Sequence, residues 1–410
     1  MRILFSVHGY KPAWRIGGPV VSVSSLAETL VERGHEVIVF TTNSNLDEDL
    51  DVPTDRFVDV QGVQVRYFRR EEPFKHYLSN FKYLSGSIGT LYTPEMYDAL
   101  TKTASSLDLM HTHMPFVYPT IATARAAFRY RVPLFYHQRG VFDPERLRFR
   151  GLKKSIYLSL IEKPIMRKAT TLIALTDAER DSYYALGVST PCKVIPNGIA
   201  LPSHDSAERD MHVAQEFGIQ PDNQVVLFMG RLHPIKGADR LVKAFVRIAS
   251  RDAKLQLVIA GPDEFGIKAS LEAEAAAAGV ADRVLFPGMV SGALKSALLR
   301  RANLFVLPSD AEGFSMAILE ALAYETAVLI SPRCYFSEVE TTGSGLIVEP
   351  TVDTLERAMA ALLAQPEELA NMGRSGHKLV ASKYTWHSVT SQMLETYDEG
   401  INRFRFEASR

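Results

Sequence analysis

Two glutamates stand eight residues apart in the run Pro308-Ser309-Asp310-Ala311-Glu312-Gly313-Phe314-Ser315-Met316, which leads into Ala317-Ile318-Leu319-Glu320-Ala321-Leu322. An ionised carboxylate accepts hydrogen bonds in pairs, which suits the vicinal hydroxyls of a sugar or a ribose. Glu312 falls in a loop and Glu320 two turns into the helix that the loop starts. Between them, the free amides of a helix N-terminus can face phosphate oxygens. The helix is otherwise apolar, with Ile318, Leu319, Ala321 and Leu322 around Glu320, which argues against a simple solvated face.

A second group is Gly230-Arg231-Leu232-His233-Pro234-Ile235-Lys236-Gly237. Two cations bracketed by glycines at a strand exit point to a shared acidic ligand such as a diphosphate, or else to a solvated charged turn. The Walker spacing is absent. A third is the long loop His8 to Pro19, which ends in Gly17-Gly18 ahead of a helix whose apolar positions include Val23, Leu26 and Leu30. Bare glycines at a helix start let backbone N–H groups approach an anion. No G-x-G-x-x-G fingerprint occurs, which counts against a nicotinamide enzyme. In the fourth group, His111-Thr112-His113, two histidines have metal-type spacing but no third ligand at a convincing interval, so no metal is expected. One histidine then meets substrate and the other packs. Asp47, Asp49 and Asp51 read as a solvated loop.

These groups need elements to hold them. Short β-branched runs alternate with helix-length amphipathic segments throughout. Strands are expected over 3–7, 37–40, 63–68, 107–111, 134–136 and 172–175, and again over 225–229, 255–260, 284–286, 304–307 and 327–330. Such alternation makes doubly wound parallel sheets, whose ligands bind beyond the carboxyl ends of the strands. The turn Ile195-Pro196-Asn197-Gly198 separates the two series. The reading is therefore an N-terminal domain over 1–198 and a second over 199–385. A C-terminal helix about 386–410 is placed to cross back onto the first domain.

Composition narrows the class. With 410 residues, 46% hydrophobic and 23% charged, the chain has material for two cores. A formal net charge of -1 excludes an evenly basic nucleic-acid binder. Cys192 and Cys334 make no framework and fit a reducing, cytoplasmic compartment. No signal-type or membrane-spanning apolar run is expected. One local patch stands out: Arg146, Arg148, Arg150, Lys153, Lys154, Lys163 and Arg167 alternate with Leu147, Phe149, Leu152, Ile156, Tyr157, Leu160 and Ile161. It reads either as a surface for the inner face of an anionic membrane or a phosphorylated lipid, or as a solvated helix with one apolar side.

Taken together, these residues resemble the retaining glycosyltransferases of family 4, which have the GT-B architecture. That architecture is two Rossmann-like domains of doubly wound parallel sheet facing across a cleft. Gly17-Gly18-Pro19 is similar to the family's N-terminal glycine loop, Val194-Ile195-Pro196-Asn197-Gly198-Ile199 to its interdomain segment, and Arg231 with Lys236 to its cation pair. Glu312 through Glu320 fits its E-x7-E signature. The resemblance implies that Arg231 and Lys236 hold the donor diphosphate, Glu312 the donor-sugar hydroxyls and Glu320 the nucleotide ribose. It implies that Phe314, Ser315 and Met316 offer backbone amides, and that the loop Pro287-Gly288-Met289-Val290 cradles the base. Gly17, Gly18 and Gly230 complete the donor set. One departure stands out. Where many members carry a His-Gly pair whose histidine touches the donor sugar, this chain has His137-Gln138-Arg139-Gly140, leaving open whether His137 or Arg139 makes that contact.

The resemblance implies a metal-independent, retaining transfer from a UDP- or GDP-linked sugar, with no cofactor beyond the nucleotide-sugar itself. The acceptor is expected to be a glycan or lipid-linked intermediate, as in surface-polysaccharide assembly. Tyr10, Trp14 and His113, with His76 and Tyr77, are expected near it from position. A nucleotide-sugar epimerase, or a non-catalytic nucleotide-sugar binding protein on the same fold, remains open. A phosphorylase would need a pyridoxal-phosphate lysine.

Overall fold

The computed structural model describes residues 1–46, 48–71, 91–142, 155–203 and 207–409. The chain divides into two compact units, Met1–Gly198 with Trp386–Arg410, and Ile199–Thr385.

Unit 1 is built on β1 (Arg2–Ser6), β2 (Glu36–Thr42), the small antiparallel pair β3 (Ser44–Asn45) and β4 (Glu48–Asp49), β5 (Val58–Val60), β6 (Val63–Phe68), β7 (Leu109–His113), β8 (Leu134–His137), β9 (Thr171–Ala174) and β10 (Cys192–Val194). Eight of these form one sheet in the order β10-β9-β8-β7-β1-β2-β6-β5. Every pairing in it is parallel except the β5–β6 hairpin. Among the described residues before Gly198 its α-helices are α1 (Gly18–Glu32), α2 (Pro94–Thr103), α3 (Tyr118–Tyr130), α4 (Lys163–Lys168) and α5 (Asp177–Ala185). Strand residues such as Ile3, Leu4 and Phe5 are wholly buried in succession, as expected when helices cover both faces of a parallel sheet.

The strand expected over 107–111 lies two residues later. Leu107 N–H closes a 3-10 turn on Ala104, and pairing with β1 begins at Leu109. Thr112 and His113 are thereby strand residues together with His111. Short strands β5, β10 and the hairpin β3–β4 carry too few residues to show a pattern in sequence.

Unit 2 holds β11 (Gln224–Met229), β12 (Leu255–Ala260), β13 (Val284–Gly288), β14 (Leu304–Leu307), β15 (Ala327–Ile330) and β16 (Gly345–Ile347), all parallel in the order β13-β12-β11-β14-β15-β16. The helices are α6 (Ala207–Glu216), α7 (Ala238–Ala249), α8 (Lys268–Ala277), α9 (Gly292–Arg301), α10 (Met316–Ala323), α11 (Glu338–Thr341), α12 (Val352–Leu363) and α13 (Pro366–Lys383). On α7, Leu241, Val242, Phe245 and Ile248 recur at helical spacing and are buried. Each stabilises the unit by about 1.5–3 kcal/mol, an upper figure because unfolded chains are already partly compact.

The last helix, α14 (Trp386–Ala408), belongs to unit 1. Val389, Met393, Tyr397 and Ile401, each four residues on, bury one stripe against Ile3, Phe5 and Phe135. Gly400 permits this approach, since a Cβ there would sit 2.6 Å from the Phe135 ring. No helix among the described residues is long and apolar enough to cross a membrane.

Candidate active site

In unit 2 the loops leaving β11 and β14 are neighbours because those strands are paired. Asp310 N–H donates to the Ile235 carbonyl at 2.7 Å, and Arg240 donates to Asp310 Oδ2 and the Pro308 carbonyl at 2.9 and 2.8 Å. Gly237 sits in the left-handed region at φ +72°, where a Cβ would lie 2.3 Å from the Pro308 carbonyl oxygen. Only glycine allows both the turn and that contact. Gly261, after β12, presses closer still to the Gly230 carbonyl, at 1.8 Å from an added Cβ.

The tie brings Lys236 and Glu312 together. Lys236 Nζ donates to Glu312 Oε1, and the two side chains keep only 12% and 8% of their exposure. Removing two charges from water costs several kcal/mol per ion before their attraction is counted. Eight residues on, Glu320 lies on α10 and accepts from Lys295 Nζ of α9 at 2.6 Å. Arg231, at the exit of β11, is more than half exposed and meets Glu264 at 3.0 Å. Lys295 and Glu264 carry no motif spacing, and sequence reading missed both. Ser315 precedes α10 in extended conformation without a side-chain cap bond, so its first-turn amides receive no cap from that hydroxyl. Phe314 packs edge-on to Phe336, and Val290 is half-buried after β13.

In unit 1 the expected residues separate into core and surface. Tyr10 is wholly buried in the apolar core, its hydroxyl without a partner among the described residues, and burial raises its pKa. Trp14 is 54% exposed on a 3-10 turn. Gly17 takes φ +89° and ψ −142° ahead of α1, and both Gly17 and Gly18 face open space. Asp49 pairs with Arg70 at 2.5 Å. Asp47, His76, Tyr77 and the cationic run from Arg146 to Lys154 lie outside the described residues.

Parallel register places His113 beside His137, and His111 two residues back on β7. The three imidazoles therefore meet, with candidate ligand nitrogens all within 4.8 Å of one another. The third imidazole that spacing did not supply comes from the neighbouring strand. Burial, and then the cation of Arg139, holds His111 and His137 well below the usual histidine range; for His113 the other imidazoles add to burial. These neutral rings nevertheless fit a metal poorly. Arg139 Nε donates to His113 Nδ1 at 3.2 Å, which fixes the proton of the neutral ring on Nε2 and removes that nitrogen as a ligand. A second cation would also have to sit beside a buried guanidinium.

Arg139 itself takes φ +52° just after β8, with Gly140 at φ +76°. Nη1 donates to Ser22 Oγ at 2.8 Å and to Asn197 Oδ1 at 3.0 Å. Burial lowers its pKa to about 10 against the field of Glu179, so it stays charged near neutrality. Ser22 on α1 and Asn197 in the turn after β10 were not identified as site residues from sequence, because only the fold brings them to Arg139.

Comparison with known proteins adds two family matches. Residues 17–198 match the glycosyl transferase 4-like domain and residues 212–379 the glycosyl transferases group 1. The chain is 30% identical over 259 residues to the D-inositol 3-phosphate glycosyltransferase of Actinosynnema mirum, covering 60% of this chain and 61% of that one. An uncharacterized glycosyltransferase of Methanocaldococcus jannaschii is 26% identical over 97% of this chain and 98% of its own. Among solved structures, HepE of Anabaena in complex with UDP superimposes with a TM-score of 0.73 at 20% identity, covering 97% of this chain and all of that one. WaaG, a glycosyltransferase involved in lipopolysaccharide biosynthesis, gives 0.67 at 18% identity, over 96% and 99% of the two chains. These likenesses give the fold as GT-B.

Proposed function

We propose, from the premise that the chain belongs to the glycosyl transferases group 1, that it moves a sugar from a nucleotide diphosphate to an acceptor hydroxyl with retention and without a metal ion. The observation that carries this reading is the buried Lys236–Glu312 pair on paired strand exits, with Glu320 on the helix that follows. A buried ion pair is a poor source of stability, and its retention at a strand exit speaks for use. Support for the donor comes from HepE, whose structures hold UDP and UDP-glucose.

In this reading Arg231 and Lys236 take up the negative charge that grows on the departing diphosphate. A helix terminus alone supplies about 0.3–1 kcal/mol to an anion, too little for the task. Positioned cations supply more, and losing one such donor costs on the order of 10²–10³ in turnover. Glu312 exchanges its lysine for donor-sugar hydroxyls, and Glu320 exchanges Lys295 for the ribose. The C1–O bond to phosphate breaks as the acceptor oxygen bonds C1 on the same face. The acceptor proton passes to the leaving phosphate oxygen. The acceptor is a glycan or lipid-linked intermediate. Arg139, two residues past the end of β8, is the residue taken to meet the substrate, with His137 behind it as the last residue of that strand.

The test is incubation with UDP- and GDP-sugars and candidate acceptors, following nucleotide release and the product anomer by NMR. Retained configuration with EDTA present supports the reading. An inverted product, an EDTA-sensitive rate or a glycosyl adduct trapped on Glu312 overturns the corresponding part. Epimerised donor without acceptor returns the chain to the epimerase alternative.

A further inference from the structure

The guanidinium of Arg139 is a buried cation held entirely by neutral acceptors. Its donors reach His113 Nδ1, Ser22 Oγ and Asn197 Oδ1, and among the described residues no carboxylate lies within ion-pair distance and Nη2 donates to nothing. The residue retains 8% of its exposure. Two costs coincide there. A charge out of water with no carboxylate in contact is expensive, and a non-glycine residue in the left-handed region is strained. Costs of this kind persist where the surrounding structure enforces them for a purpose. The place is the exit of β8, beside the exit of β7 and the second turn of α1, where parallel sheets receive ligands.

We propose that Arg139 is a charge-reading residue, whose guanidinium receives an anionic oxygen of the substrate, carboxylate or phosphate, and that Ser22, Asn197 and His113 are the residues that position it. The inference rests on the transferase reading only for the identity of the substrate; the anion site stands or falls by itself. With Nε and Nη1 committed, the uncommitted donor is Nη2, so the contact is through one nitrogen rather than a bidentate fork. Neutral anchoring leaves the guanidinium without a contacting carboxylate, its charge offset only by the field of Glu179, until the anion arrives. An anchor carboxylate would have neutralised it in advance. The anion can be a carboxylate on the donated sugar, or a phosphate of the donor or of a phosphorylated acceptor.

The experiment measures binding of sodium glucuronate, inorganic phosphate and uncharged glucose to the full chain by calorimetry and thermal shift, at matched ionic strength. Wild type, Arg139→Gln, Asn197→Leu, Arg231→Gln and Glu320→Ala are compared. Measured in the Arg231→Gln background, which weakens the phosphate contact proposed for unit 2, anion affinity should fall at least tenfold on adding Arg139→Gln and several-fold on adding Asn197→Leu. Glucuronate binding that is lost with Arg139 assigns a sugar carboxylate, and phosphate binding alone that is lost with Arg139 assigns a phosphate. Arg139→Gln should melt no lower than wild type, which a structural role would not allow. Should it fail to fold, Asn197→Leu carries the test, since it leaves the charge and removes one anchor. Anion binding unchanged in the Arg139 variant, or in Asn197→Leu where that variant carries the test, or no anion binding to wild type, overturns the proposal. Loss of nucleotide binding in Glu320→Ala reports on the donor reading separately.

Discussion

The two units present charge in opposite ways. In unit 2 each chemically suggestive carboxylate has a lysine, Lys236 with Glu312 and Lys295 with Glu320, and Arg231 has Glu264. In unit 1 the buried Arg139 has only neutral acceptors, beside three neutral imidazoles. The compensated set can exchange partners when a ligand arrives, because each lysine or carboxylate gives up one partner for another. The Arg139 cation has no contacting carboxylate to give up, only neutral partners and the field of Glu179. On the proposed reading, ligand entry is a partner swap in unit 2 and an added anionic contact in unit 1.

Breaking the buried pair should have the largest effect. Lys236→Met leaves Glu312 buried without its partner, and chemical denaturation should record a loss of about 3–5 kcal/mol. Turnover should fall by about 10²–10³. Adding Glu312→Leu should recover much of the stability and none of the turnover. If the single variant stays as stable as wild type, the pair is not functioning as buried charge.

Acid should act on unit 1. The folded chain keeps His111, His113 and His137 neutral, and His8 is lowered to about 4. The unfolded chain takes up protons below about 6.5, so this stability is intact above that pH and drains away as pH falls. Each imidazole contributes about 1.4 kcal/mol of loss per pH unit. Denaturation curves between pH 7 and 5 should steepen accordingly, and His137→Asn should flatten them. A pH-independent stability over that range contradicts the buried, neutral assignment.

A smaller effect separates the exposed pair from the buried one. Arg231→Ala breaks an ion pair whose members are 54% and 41% exposed, so stability should change by less than about 1 kcal/mol. Activity should nonetheless drop as a diphosphate contact requires. Equal losses in stability for Arg231→Ala and Lys236→Met would erase the distinction between the two.

Much of this was legible in the sequence, for reasons that differ by residue. Arg231, Lys236, Glu312 and Glu320 announce themselves because their loops follow strongly apolar strands, so position relative to the sheet can be read directly. Lys295 gives no such signal, since it is one cation on α9 and meets Glu320 only through helix packing. His137 completes the imidazole cluster through parallel register, which local spacing cannot report. Tyr10 reads as a loop aromatic within a polar stretch, yet the fold turns it into the core. Asn197 looks like a turn former, and its amide oxygen instead holds Arg139.

The most direct measurement is a thermal-shift and calorimetric screen of UDP, GDP and ADP with and without EDTA, on wild type and Glu320→Ala. Selective stabilisation by one nucleotide, unaffected by EDTA and lost in Glu320→Ala, is the predicted result. No stabilisation by any nucleotide, or stabilisation that survives in Glu320→Ala, would contradict the assignment of unit 2 as the donor site.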